Sequence, residues 1–151
     1  MSDAGLAQAA VDQFMVSRRN YPLYPEVPAL LQALKQQGFR LGIVTNGVPD
    51  LQREKIAGCP VAGRFHASVV SGEIDCGKPD PGIFDHICRE LNVEPHQCVM
   101  VGDNPERDVA GAMAAGMKSV WVQRNGRPRD LRYPGDLACA DLSEMEAWLA
   151  R

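Results

Sequence analysis

No apolar run in this sequence approaches the roughly 18 residues that a membrane-spanning helix needs; runs such as Val99-Met100-Val101 are far shorter. The opening residues lack the basic-then-apolar layout of a secretory leader, so no membrane association and a cytoplasmic location are the expectations. A basic excess is also missing. Sixteen Lys and Arg stand against nineteen Asp and Glu, a net charge of -3, which offers no general attraction to a polyanion and argues against a nucleic-acid partner. The five cysteines are odd in number and form no Cys-x-x-Cys pair, which excludes a disulfide framework and points to reduced thiols. His86 with Cys88 and His96 with Cys98 suggest ligand pairs, yet nothing nearby completes the spacing of structural zinc. Internal repeats and low-complexity tracts are absent. What remains is 151 residues with 45% apolar and 23% charged side chains, the balance of one globular domain. Such a chain buries roughly 70% of its unfolded surface.

Punctuation organises the chain. Residues 4–19 are alanine-rich, with Leu6, Ala10, Phe14 and Met15 at the spacing of an amphipathic helix. A proline-rich junction over 21–28 follows, and Pro28 suits the first turn of a helix that stops at Gly38. Residues 39–44 form a short, mostly apolar run, the signature of a strand covered on both faces. Similar runs recur near 68–70, 97–101 and 119–122. Helices are predicted between them, over 81–91 behind Asp80 and Pro81, and over 108–115 before Gly116. Strand alternating with helix implies an α/β fold with a parallel sheet. The tail carries an arginine-bearing loop over 124–132, then Ser143-Glu144-Met145-Glu146, which reads as a capping box opening a last helix.

Ligands of open parallel sheets bind beyond the carboxyl ends of the strands, so the residues following each strand carry the chemistry. After the first strand stand Thr45, Asn46 and Gly47, a hydroxyl, an amide and an open backbone able to donate to an anion; the same residues also make ordinary polar turns. Gly77-Lys78-Pro79-Asp80-Pro81 places a lysine in a stiff loop that leads into a helix N-terminus, where cation and helix dipole both favour phosphate. Gly102-Asp103-Asn104-Pro105-Glu106-Arg107-Asp108 presents two aspartates around a strand-to-helix turn. Carboxylates so placed suit magnesium, which takes one or two of them with waters and substrate phosphate. Asp108 also reads as a helix cap. Asp103, directly behind a buried strand, would be costly to bury unless paired.

Val44-Thr45-Asn46-Gly47, Gly77-Lys78-Pro79-Asp80-Pro81 and Val101-Gly102-Asp103 through Asp108 together resemble, in order and spacing, the second, third and fourth motifs of the haloacid dehalogenase-like hydrolase superfamily. The resemblance covers about 24–123. It implies a Rossmann-like, three-layer α/β core over 23–151 and, over 1–22, the closing helix of a cap inserted after the first motif. It also implies magnesium-dependent hydrolysis of a phosphate monoester through a phosphoaspartyl intermediate. Thr45, Asn46 and Gly47 would bind phosphoryl oxygens, Lys78 would bind phosphate and neutralise transition-state charge, and Asp103 and Asp108 would ligate magnesium. The dehalogenase branch is metal-free, so the acidic pair favours the phosphatase branch. A small phosphorylated metabolite is the implied partner, its identity not encoded in these motifs.

The family's first motif, an Asp-x-Asp whose leading aspartate attacks phosphorus, is absent: no two of the eleven aspartates are separated by a single residue. Loss of a nucleophile leaves about 10³ to 10⁴-fold catalysis in a serine protease. Phosphate monoester hydrolases supply up to ~10²¹-fold, so the chain is expected to be inactive by itself. The alternative is a non-catalytic protein that keeps a phosphate and magnesium pocket. The absent strand belongs in mid-sheet, between the strands ending at Val44 and Val101. Either those strands close up, or pairing comes from a homodimer or a complementing fragment.

Overall fold

A computed structural model describes Gln8, residues 21–124, Gly126 and residues 131–150. The helix predicted over 4–19 and the cap remnant assigned to 1–22 therefore lie, apart from Gln8 and residues 21–22, outside the described residues. Helix α1 (Val27–Gln36) leads to β1 (Gly42–Thr45), α2 (Pro49–Ala57), β2 (Ala67–Val70), a single turn α3 (Ser71–Ile74) and α4 (Pro81–Leu91). Then come β3 (Val99–Gly102), a π-helical stretch (Pro105–Ala110) continuing into α5 (Gly111–Ala114), β4 (Lys118–Val122), β5 (Leu137–Cys139) and α6 (Leu142–Leu149). No described helix is long and apolar enough to cross a membrane.

Local chemistry accounts for the two helices that cover the sheet. In α4 the Asp80 carboxylate accepts from the Gly82 N–H at 2.8 Å, and Pro81 sets the first turn. One stripe of α4, containing Ile83, Phe84, Ile87, Cys88 and Leu91, is buried, and the helix ends at Asn92 in the left-handed conformation. Helix α1 buries Leu30 and Leu34, one turn apart on the same face.

Among the described residues all strand pairs are parallel, as predicted. Strand β1 pairs with β2 from Gly42 opposite Ala67 to Thr45 opposite Val70. Strand β3 pairs with β4 from Val99 opposite Lys118 to Gly102 opposite Trp121, and β4 pairs with β5. No ladder joins β1 to β3, so a two-stranded and a three-stranded sheet stand apart and the strands have not closed up. Helix α4 packs on β1 and β2 and, through the core of Phe84, Ile87 and Met117, also meets Met100 of β3. On the other face α1 and α6 pack together, with Leu30, Leu34 and Met145 against Val120 and Cys139. The result is the expected three-layer α/β architecture.

Several local expectations need correction. The helix predicted over 108–115 starts earlier, at Pro105, and Asn104 rather than Asp108 caps it by accepting from the Arg107 N–H at 2.9 Å. The final capping box is formed by Asp141 and Glu144, not from Ser143, because the Asp141 carboxylate reaches the Ser143 N–H at 2.7 Å. Strand β5 was not expected, since three residues are too few to display a period. Helix α2 was also missed: it buries no residue, and Arg53 ties it down through Glu73 at 2.5 Å and the Ser68 carbonyl at 3.1 Å. All five cysteines are free.

Candidate functional site

Three short segments at the carboxyl ends of β1, β2 and β3 build the site. Beyond β1, the Asn46 side chain donates to the Lys78 carbonyl and accepts from the Lys78 N–H, both at 2.8 Å. This reciprocal pair makes Asn46 a clamp on the lysine-bearing loop, in which the Lys78–Pro79 peptide is cis. The Thr45 hydroxyl donates to Gln52 Oε1 at 3.0 Å, and the Gly47 N–H donates to Ser71 Oγ at 3.0 Å. Gly47 has φ of +146°, a conformation that disfavours any side chain at this turn. Gln52 and Ser71 lie outside the sequence motifs, and only their positions opposite this turn identify them.

Beyond β3, Asp108 and not Asp103 is the buried carboxylate. Asp103 is exposed, so no burial penalty attaches to it, while Asp108 is only 4% exposed. The Lys78 ammonium lies 2.7 Å from Asp108 Oδ1, and Asp108 Oδ2 accepts from the Asn104 N–H at 2.9 Å. A buried carboxylate needs such partners. Oδ1 nevertheless has no aligned hydrogen-bond donor, because the lysine approaches as a charge outside hydrogen-bonding geometry. Gly102 makes the arrangement possible: a Cβ there would stand 2.2 Å from Asp108 Oδ2. Trp121 Nε1–H donates to the Asp103 carbonyl at 3.2 Å and steadies the turn.

Lys78, Asp103 and Asp108 border one cavity of about 710 Å³ lying between β1 and β3. Thr45, Asn46 and Gly47 do not line it and connect to it through Lys78. Among the described residues no three His, Cys, Asp or Glu side chains are grouped to hold a metal. Magnesium asks for less, since two carboxylates, water and substrate oxygens complete its shell. The exposed Asp103 carboxylate and Asp108 Oδ1, which has no aligned hydrogen-bond donor and only the Lys78 ammonium as its ionic partner, fit that share.

Burial and neighbouring groups disfavour the thiolate at two cysteines. Burial, then the neighbouring Asp80, pushes the Cys76 thiol up, and burial, then Cys98, pushes Cys88 up to about 12. Of the arginine loop, Arg124 lies over the Tyr24 ring, 3.6 Å from its centre, and pairs with Glu26, a structural role away from the site. Arg127 and Arg129 lie outside the described residues.

The pattern that describes haloacid dehalogenase-like hydrolases matches residues 3–116, and the chain belongs to that family. Its relatives place it in the phosphatase branch. Phosphoserine phosphatase of Thermus thermophilus is 45% identical over 139 residues, covering 92% of this chain and 56% of the relative. Glyceraldehyde 3-phosphate phosphatase of Methanopyrus kandleri is 40% identical over 113 residues, covering 75% of this chain and 48% of the relative. Among solved structures, a HAD phosphatase from Thermococcus onnurineus superposes with a TM-score of 0.78 at 35% identity, covering 84% of this chain and 58% of its own. The chain thus spans about half the length of the curated relatives it matches.

Proposed function

We propose that this chain is the phosphate- and magnesium-handling core of a phosphate monoester hydrolase that acts on a small phosphorylated metabolite in the cytoplasm, and that residues 1–151 do not turn substrate over unaided. The carrying observation is the buried Lys78–Asp108 ion pair beside exposed Asp103 in one cavity. Lys78 supplies a fixed positive charge where phosphoryl oxygens arrive. Asp103 and Asp108 hold magnesium, which, when bound, draws charge from those oxygens. The family resemblance assigns Thr45, Asn46 and Gly47 to phosphate; in this structure they stand behind the cavity, where Asn46 sets the position of Lys78. The core is assigned to 23–151 and the remnant of a cap to 1–22. Names of the relatives support the substrate class.

The second reading, a binding protein without turnover, is favoured for the chain in isolation by one observation. Among the described residues the cavity holds no carboxylate beyond Asp103 and Asp108 to attack phosphorus. Two measurements test the proposal. Hydrolysis of an aryl phosphate with magnesium should be undetectable for the chain and for Asp103→Ala alike; turnover abolished by that substitution would refute inactivity. Calorimetric titration with inorganic phosphate and magnesium should show binding that Lys78→Met removes. Equal heats in both proteins would refute the site.

A further inference from the structure

We propose that Cys88 and Cys98 form a dithiol site that hydrogen peroxide closes to a disulfide, stapling α4 to the segment that enters β3. Neither residue belongs to the proposed phosphate site, so the two readings stand apart.

Of the five free cysteines, these two have their sulfurs in contact, 3.6 Å apart. A disulfide bond is about 2.05 Å long, so the sulfurs must approach by roughly 1.5 Å. The chain between them is held, not slack. Helix α4 ends at Asn92 in the left-handed conformation, and the Val93 N–H donates to the Cys88 carbonyl at 3.0 Å. A 3-10 turn over Pro95–Gln97 follows, closed by a capping box in which the Glu94 N–H donates to Gln97 Oε1 at 2.9 Å. The Cys98 N–H then donates to the Pro95 carbonyl at 2.9 Å, and the Cys98 carbonyl accepts from the Lys118 N–H of β4 at 3.0 Å. Backbone bonds on both sides thus present one thiol to the other.

The surroundings divide the chemistry between the two. Cys88 is 2% exposed, within the core of Ile87, Leu91 and Met117, where burial keeps its thiol protonated and shields it from an oxidant. Cys98 is half-buried and borders a second cavity of about 340 Å³ with His96 and Lys118. Its S–H donates weakly to the Glu94 carbonyl at 3.4 Å, which leaves its lone pairs to accept from the Cys88 S–H. Peroxide therefore meets Cys98 first. The Cys98 thiolate attacks one peroxide oxygen, the O–O bond breaks, and hydroxide leaves with a sulfenic acid formed on Cys98. The Cys88 sulfur then attacks the Cys98 sulfur, the S–O bond breaks, and the departing hydroxide takes the Cys88 proton as water. Overall the two thiols give up two electrons and two protons, and hydrogen peroxide becomes two waters. Helix α4 packs on β1 and β2, whereas Cys98 runs directly into β3, and no ladder joins those sheets. The disulfide adds a covalent tie between them. In a reducing compartment thiols reopen such a bond, in keeping with five free cysteines at rest.

The test treats the full chain, reduced and then freed of reductant, with hydrogen peroxide. Its intact mass should fall by two hydrogens and return with dithiothreitol. Trypsin, which cuts after Arg64, Arg89 and Arg107 but not at Lys78 before Pro79, should release peptides 65–89 and 90–107 joined. Fragment ions should place the bond on Cys88 and not on Cys76. The oxidised chain should melt several degrees higher, because a closed loop restricts the unfolded chain. Dimedone, which traps sulfenic acid, should label Cys98 about tenfold more in Cys88→Ala than in the unsubstituted chain, since the second thiol is gone. It should leave Cys88 unlabelled in Cys98→Ala. Peptide mapping of the unsubstituted chain decides the matter even if a variant fails to fold. An unchanged mass, a bond to Cys76, a bond between two chains on a non-reducing gel, or sulfinic acid on Cys98 without a disulfide overturns the proposal. So does dimedone on Cys88 in place of Cys98, or an oxidised chain that melts no higher.

Discussion

Breaking the Lys78–Asp108 pair from either side should destabilise the protein strongly, whereas neutralising both partners should restore much of the loss. The charges are 2.7 Å apart with side chains 12% and 6% exposed. At an effective dielectric near 20 their attraction is about 6 kcal/mol. Desolvation offsets several kcal/mol per ion, which leaves the intact pair near neutral relative to uncharged residues. Removing one partner strands the other, at about 3–5 kcal/mol. Lys78→Met strands the carboxylate, while Asp108→Asn strands the ammonium and preserves an acceptor for the Asn104 N–H at 2.9 Å. The double variant Lys78→Met with Asp108→Asn keeps that acceptor and buries no charge. Urea unfolding at neutral pH reads all four proteins. With a slope of about 2 kcal/mol/M, each single variant should lose roughly 1.5 M or more in midpoint. The double variant should lose far less than the sum, a coupling of at least about 2 kcal/mol. Single losses below about 1 kcal/mol that simply add would refute the buried-pair reasoning. The double variant should still fail to bind phosphate, which separates charge placement from folding.

Further outcomes follow from other contacts. Gly102→Ala forces the Asp108 carboxylate away from a Cβ that would sit 2.2 Å from it, leaving the Asn104 N–H unpaired; thermal unfolding should fall by about 1–3 kcal/mol with phosphate binding weakened, and an unchanged melt would contradict this. Phe84→Ala, at a fully buried position of α4, should cost about 3–5 kcal/mol in denaturant unfolding. Asp141 is held below the usual carboxylate range by the Ser143 N–H. Its folded value lies below its unfolded one, so its stabilisation is full above about pH 4 and is lost as pH falls through the folded value. Asp141→Ala should therefore melt lower at pH 7, with the two curves converging in acid; parallel curves would refute the cap. Cys88, pushed up to about 12 by burial and by Cys98, should resist alkylation at pH 8 in the native protein and react once unfolded, as mass spectrometry would show.

Much of the scaffold was legible because its signals are local. The apolar stripe of α4, its Asp80 cap and the punctuating glycines act within a turn or two of chain, and the structure reproduces 81–91 to the residue. Elements without local signals escaped. Helix α2 has no buried stripe and depends on Arg53 reaching Ser68 and Glu73. Strand β5 exists through its pairing with β4. In the candidate site, spacing identified Lys78, Asp103 and Asp108 as a group but misjudged their environments, since a carboxylate's burial depends on what folds over it.

By itself the sequence determined the alternation of strands and helices, the parallel α/β class, the family through three motifs, and the absence of an Asp-x-Asp. All of these are properties of residue order over a few positions. Only the tertiary structure decided that Asp108 and not Asp103 is buried, that Lys78 reaches across 30 residues of chain to meet it, and that Asn46 clamps the lysine loop. It alone showed that β1 and β3 stay apart around an apolar cleft. The reason is physical: burial, charge pairing and strand neighbours are set by residues distant in sequence, whose mutual placement appears only when the layers pack.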